Sequence, residues 1–118
     1  GSDYSHIYAY FPGGIFYNRI CSSAGAGFTV TDSRGHFLGN RSASGATQSY
    51  YNGSSVGSDT QASSALINAT YAVSNDLFNS VSNLYQVPMV SLGGSLSSTQ
   101  AANFYTRLRT YMTAVGVP

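Results

Sequence analysis

The stretch from Ser95 to Pro118, SLSSTQAANFYTRLRTYMTAVGVP, limits what this chain can fold into more than any other. It predicts one amphipathic helix with both ends marked. Ser97 stands three residues before Gln100, the spacing of a capping box, in which the hydroxyl accepts from the third helical amide and the glutamine reaches back. Ala101, Phe104, Tyr105, Leu108, Tyr111, Met112 and Val115 recur at helical spacing and make one apolar stripe. Thr106, Arg107, Arg109 and Thr110 fall on other faces. Gly116 suits the left-handed closing position and Pro118 lies beyond it, so the helix is expected over 97–116. Arg107 and Arg109 in its C-terminal half suit the helix dipole. Such a helix cannot bury its stripe alone. The remaining residues must supply the surface that covers it.

Those residues read as short strands. Tyr4 to Phe11 alternates Tyr4, His6, Tyr8 and Tyr10 with Ser5, Ile7, Ala9 and Phe11, which predicts a strand backed by core on one side and showing aromatics on the other. Pro12-Gly13-Gly14 is a turn into a second strand, Ile15 to Cys21. Phe28 to Asp32 is a third and His36 to Ala43 a fourth, with Gly39 marking a bulge. Thr47 to Tyr51 and Ser54 to Thr60 flank Asn52-Gly53, a type I′ hairpin signal. Further strands are expected at Ile67–Val73 and at Gln86–Leu92, the latter at an edge because of Pro88. Asn75 to Asn83 is turn-like at both ends, and its middle fits either a short strand or one helical turn. About eight short strands at this spacing predict a single domain over 3–118: an antiparallel β-sandwich of jelly-roll type with one C-terminal helix. Gly1-Ser2 reads as a cloning scar.

The charge balance narrows the function classes. The 118 residues contain no Lys, Glu or Trp, and five Arg, four Asp and two His leave a net charge of +1. Scattered over the chain, five Arg make no phosphate-tracking stripe, so no nucleic-acid partner is expected. No apolar run reaches membrane-spanning length, so no membrane insertion is expected. Ten Tyr among many Ser, Thr, Asn and Gly describe a polar, uncharged surface, as on a secreted or virion-exposed domain. Cys21 is the only cysteine and reads as a small buried residue at a strand end.

The pieces from Arg41 to Pro118 resemble a family. NRSASGATQSYYNGSSVGS at 40–58, LINATYAVS at 66–74 and VSLGGSLSSTQAANFYTRLRTYMTAVG at 90–116 are similar, in order and spacing, to the C-terminal portion of concanavalin A-like (LamG-type) jelly-roll domains of bacteriophage tail and prophage surface proteins. The residues that carry the likeness are Tyr50, Asn52 and Gly53, then Leu92 and Gly93, then Leu96, Gln100, Tyr105, Leu108, Tyr111 and Gly116. Complete domains of this kind are longer, so the chain is a compact version or a fragment. The resemblance implies a two-sheet sandwich and binding of glycans or cell-surface polymers. It implies no catalytic residue.

A sugar site needs aromatic faces for pyranose C–H surfaces and short polar groups for hydroxyls. The candidates are Tyr8 and Tyr10, Asp32, Arg34 and His36, Tyr50 and Tyr51, and Asn75, Asp76 and Asn79. Any one tyrosine here is more often half-buried packing, and the set is what suggests a binding face. Asp32, Arg34 and His36 alternate, so a continuing strand would put all three on one face; at a turn they reduce to an exposed Asp–Arg pair. No loop matches a calcium motif and one Cys with two distant His gives no zinc spacing, so no metal or cofactor is expected. Glucanases of jelly-roll type use paired Glu, which this chain lacks, and no nucleophile elbow occurs. The expectation is a non-enzymatic module for a bacterial surface glycan, on a virion surface or extracellular. The alternative is an assembly domain whose business is a homo-oligomer such as a trimer.

Overall fold

The computed structural model describes residues 4–11, 13–66, 75–76, 81–82 and 86–118. Within them the chain is mainly β: two three-stranded antiparallel sheets and one C-terminal helix. The first sheet is a meander of β1 (Tyr4–Phe11), β2 (Ile15–Ser22) and β3 (Ala26–Thr29). The second is a meander of β4 (Phe37–Ala43), β5 (Ala46–Tyr51) and β6 (Ser54–Asp59). A two-residue antiparallel pair, β7 (Asn75–Asp76) and β8 (Val81–Ser82), precedes α1 (Ser98–Ala114).

Strand alternation sets the layers. Phe16 and Asn18 of β2 point inward and are 0% and 2% exposed. The Phe16 ring meets Phe37 edge-on at 5.3 Å between centroids. Asn18 Nδ2 donates to Ser49 Oγ at 3.0 Å, and Arg41 Nε donates to the Ile20 carbonyl at 2.9 Å. Phe37, Gly39 and Arg41 therefore face the first sheet. Asn40 and Tyr50 point to the opposite face of the second sheet and are buried there. The Asn40 carboxamide takes both backbone groups of Leu96, donating to its carbonyl at 2.8 Å and accepting from its amide at 2.7 Å. This pins the lead-in of α1 to that face. The layers thus run first sheet, second sheet, helix.

The joint between the sheets is polar. Asn18, Ser22, Thr47 and Ser49 are all buried there; Asn18 Nδ2 is satisfied by Ser49, whereas Asn18 Oδ1 and Thr47 Oγ1 meet no partner among the described residues. Gly39 makes room for Asn18, because an added Cβ would lie 2.7 Å from Asn18 Cγ. The β4–β5 register is regular through Gly39 and shifts between Arg41 and Ala43, so the expected bulge sits later than Gly39.

The hairpin and helix ends match their sequence signals. Asn52 and Gly53 have φ of 51° and 78°, as a type I′ turn demands. Ser97 and Gln100 form the capping box in both directions. Gly116 has φ 81°, and the amides of Gly116 and Val117 donate to Thr113 and Met112, a Schellman closure. Arg107 and Arg109 precede the last turn, which holds no basic residue, so neither serves the dipole there. The stripe is covered in part: Ala101 and Met112 are buried, Phe104, Tyr105 and Leu108 are half-buried, and Tyr111 and Val115 are exposed.

Other expectations need correction. The third strand is shorter and earlier than Phe28–Asp32, since its pairing to β2 ends at Thr29 opposite Ile15. Gln86–Leu92 joins no strand among the described residues; its residues are exposed, and Pro88 removes one ladder donor. Within the segment expected to be turn-like at both ends, Asn75 pairs with Ser82 and Asp76 with Val81, while its middle, 77–80, and residue 83 lie outside the described residues. Cys21 is half-buried, with φ 44° and its amide donating to Ser5 Oγ at 2.8 Å. The strand expected at 67–73 lies outside the described residues.

Gly39→Ala is expected to lower stability by about 1–3 kcal/mol, the cost of overpacking against Asn18, as read by chemical denaturation.

Candidate functional site

The chain between β3 and β4 leaves the sheet, so Asp32, Arg34 and His36 lie on a loop. Gly35, at φ 140°, redirects it. The three side chains consequently do not share a face. Asp32 and Arg34 pair with each other. The Arg34 amide donates to Asp32 Oδ1 at 3.0 Å, Nε donates to both carboxylate oxygens at 3.1 Å, and Nη2 donates to Oδ2 at 2.6 Å. Tyr51 Oη donates to the Arg34 carbonyl at 2.8 Å and braces the loop from β5. Hydrogen bonds from Arg34 hold the Asp32 carboxyl down at about 2, and the carboxylate raises the guanidinium in return. The Arg34 side chain is 88% exposed, and an ion pair this wet adds little to stability. What it supplies is a fixed plane of acceptors and donors at the surface.

His36 turns onto α1. Its amide donates to Asn52 Oδ1 and its carbonyl accepts from the Asn52 amide, both at 2.9 Å. Its ring meets Phe104 edge-on at 5.4 Å and lies near-parallel to Tyr105 at 6.1 Å. Tyr105 in turn rests on Gly53, where an added Cβ would come within 2.9 Å of Cδ1. His36 is thus a joint between hairpin and helix, and burial lowers its pKa. Among the described residues its buried Nδ1 meets no hydrogen-bond partner.

The remaining candidates divide. Tyr51 joins the loop pair, whereas Tyr50 is 5% exposed and its ring belongs to the core. Tyr8 lies half-buried on β1. Tyr10 lies on the same strand, and its side chain is outside the described residues. Asn75 and Asp76 form β7; their side chains and Asn79 are likewise outside. The structure therefore brings together Asp32, Arg34 and Tyr51.

It also gathers around the candidate Tyr8 three residues that sequence reasoning passed over as a site: His6, Tyr17 and Arg19. β1 pairs with β2 so that Tyr8 faces Tyr17 and His6 faces Arg19. These side chains leave the first sheet on the side opposite Phe16 and Asn18. His6 lies 4.7 Å from Tyr8 and 5.4 Å from Tyr17, stacked on the latter at 20°. The signal was the alternation of aromatics in β1 next to a short Pro-Gly-Gly turn, which makes β2 its neighbour.

One other feature carries no chemistry. An open groove of about 510 Å³ along α1 is lined by Tyr105, Thr106, Arg109, Thr110 and Thr113. The Thr106 and Thr110 hydroxyls donate to helix carbonyls, so they do not converge on it. No described helix is long and apolar enough to cross a membrane. Comparison with protein-family models, with curated proteins and with solved structures returns no match for this chain.

The lowered pKa of His36 sets a pH dependence. Below 6.5 the unfolded chain binds a proton at this site that the folded chain resists, so stability falls as pH drops through 6.5 toward the folded pKa, and then levels off. Thermal unfolding from pH 7.5 downward is expected to show this decline, and His36→Gln is expected to flatten it.

Proposed function

We propose that this chain is a non-enzymatic recognition module that binds carbohydrate on a bacterial cell surface, as the C-terminal domain of a phage tail or similar surface protein, displayed on the virion or extracellularly. The observation that carries this reading is the Asp32–Arg34 pair braced by Tyr51. The pair is hydrogen-bonded and exposed, yet adds little to stability. Sugar hydroxyls both donate and accept, and a guanidinium with outward donors beside a carboxylate answers both roles. The sequence adds aromatic side chains in a chain of net charge +1 without Glu. The same reading takes the two facing sheets as a compact concanavalin A-like jelly roll, in keeping with the resemblance of 41–118.

A second reading rests on exposed apolar residues. Val87, Val90 and Leu92 before α1, Tyr111 on it and Val115 at its C-cap are 46–72% exposed. They fit a homo-oligomer, such as a trimer, in which assembly is the function. Sedimentation separates the two: a monomer that binds a saccharide supports recognition, and a stable oligomer that binds none supports assembly.

On an array of bacterial surface glycans the purified chain is expected to give specific signals. Arg34→Ala is expected to weaken them about tenfold or more while leaving the unfolding midpoint unchanged. Equal binding by the variant would remove the loop pair from the site. Hydrolysis of a polysaccharide by the chain would overturn the non-enzymatic reading.

A further inference from the structure

We infer that the outer face of the first sheet is a saccharide-stacking surface, with Tyr17 at its centre, that takes a gluco-configured pyranose; this rests on the carbohydrate reading above but places the contact away from the Asp32–Arg34 loop. Residues directly opposite in an antiparallel pair share a face. Tyr8, Tyr17 and Gly27 are opposite one another across β1, β2 and β3, so they form one row over the sheet. His6 and Arg19 form the next row. Behind these rows, Phe16 and Asn18 fill the interior, so Tyr17 must point outward.

Glycine keeps the β3 side of this face low. The φ of Gly27 lies outside the left-handed region, so the backbone does not demand glycine there. Space does. An added Cβ at Gly27 would lie 2.6 Å from Ile15 Cγ2 and 3.5 Å from Tyr17 Cδ2. At Gly25 it would lie 3.1 Å from Tyr17 Cε1. The Tyr17 ring and the Ile15 side chain therefore lie over the glycine backbone of 25–27, in the space where a side chain on β3 would stand.

The other flank is aromatic. His6 stacks on Tyr17 at 5.4 Å and 20°, and Tyr8 stands 6.4 Å from Tyr17 at 46°. His6, Tyr8 and Tyr17 are each half-buried as residues, and the Nε2 of the His6 ring is covered. A gluco-configured pyranose presents its axial C–H bonds as a flat, weakly positive surface, which complements the negative face of an aromatic ring. The ligand class follows from that match of flat ring to flat ring.

The test is titration of the intact chain with cellotetraose, read by the NMR shifts and intermolecular NOEs of the tyrosine ring protons. NOEs from sugar C–H protons to Tyr17 are expected. Tyr17→Ala is expected to weaken binding about tenfold, and Tyr17→Phe, which keeps the ring, to leave it within about twofold. The wild-type NOEs decide the matter even if Tyr17→Ala fails to fold. Sugar NOEs confined to Tyr51 and Arg34, or binding unchanged in a folded Tyr17→Ala variant, would overturn this inference and leave carbohydrate recognition standing. Failure of the wild type to bind cellotetraose or any glycan on the array would overturn both.

Discussion

The carboxamide of Asn18 is where the two sheets are fastened together. It is almost fully buried, donates to Ser49 Oγ across the gap, and lies over Gly39, which has no side chain to obstruct it. A buried polar pair of this kind adds little net stability over water, but losing one partner strands the other at real cost. The joint therefore acts more as a register key than as a source of free energy. It sets which residue of β2 lies over which residue of β5. Phe16 against Phe37 supplies the apolar part of the same joint.

Both candidate surfaces inherit their geometry from that register. With Asn18 inward, Tyr17 must be outward, and its β1 and β3 partners follow from strand pairing. With Phe37 and Gly39 facing the first sheet, Asn40 must face the helix side, where it holds Leu96. That contact delivers α1 to the hairpin tip, and His36 and Tyr105 complete the seat. The loop carrying Asp32 and Arg34 spans the two sheets, and Tyr51 of β5 fixes its height.

Much of this was legible in the sequence. Local signals with strict backbone requirements translated directly: the Ser97–Gln100 box, Gly116, the Asn52-Gly53 turn, and the alternation of β1. What was hidden depended on distant partners. Gly39 reads as a bulge until Asn18 is known to lie over it. Tyr50 reads as a surface aromatic until the far side of its sheet is known to be buried. Gln86–Leu92 has the composition of a strand, but a strand requires a neighbour to pair with, and composition does not supply one. Asp32, Arg34 and His36 alternate as on a strand, yet the ladder stops at Thr29 and the loop sends them different ways. Tyr17 was missed because its significance comes from its neighbours in the sheet.

A polar contact, Asn18 to Ser49, keys the sheets together. A double-mutant cycle of Asn18→Ala and Ser49→Ala, measured by chemical denaturation, tests it most directly. Coupling of about 0.5–3 kcal/mol between the two substitutions is the predicted result. Additivity to within about 0.3 kcal/mol would contradict it and leave apolar packing as what joins the sheets.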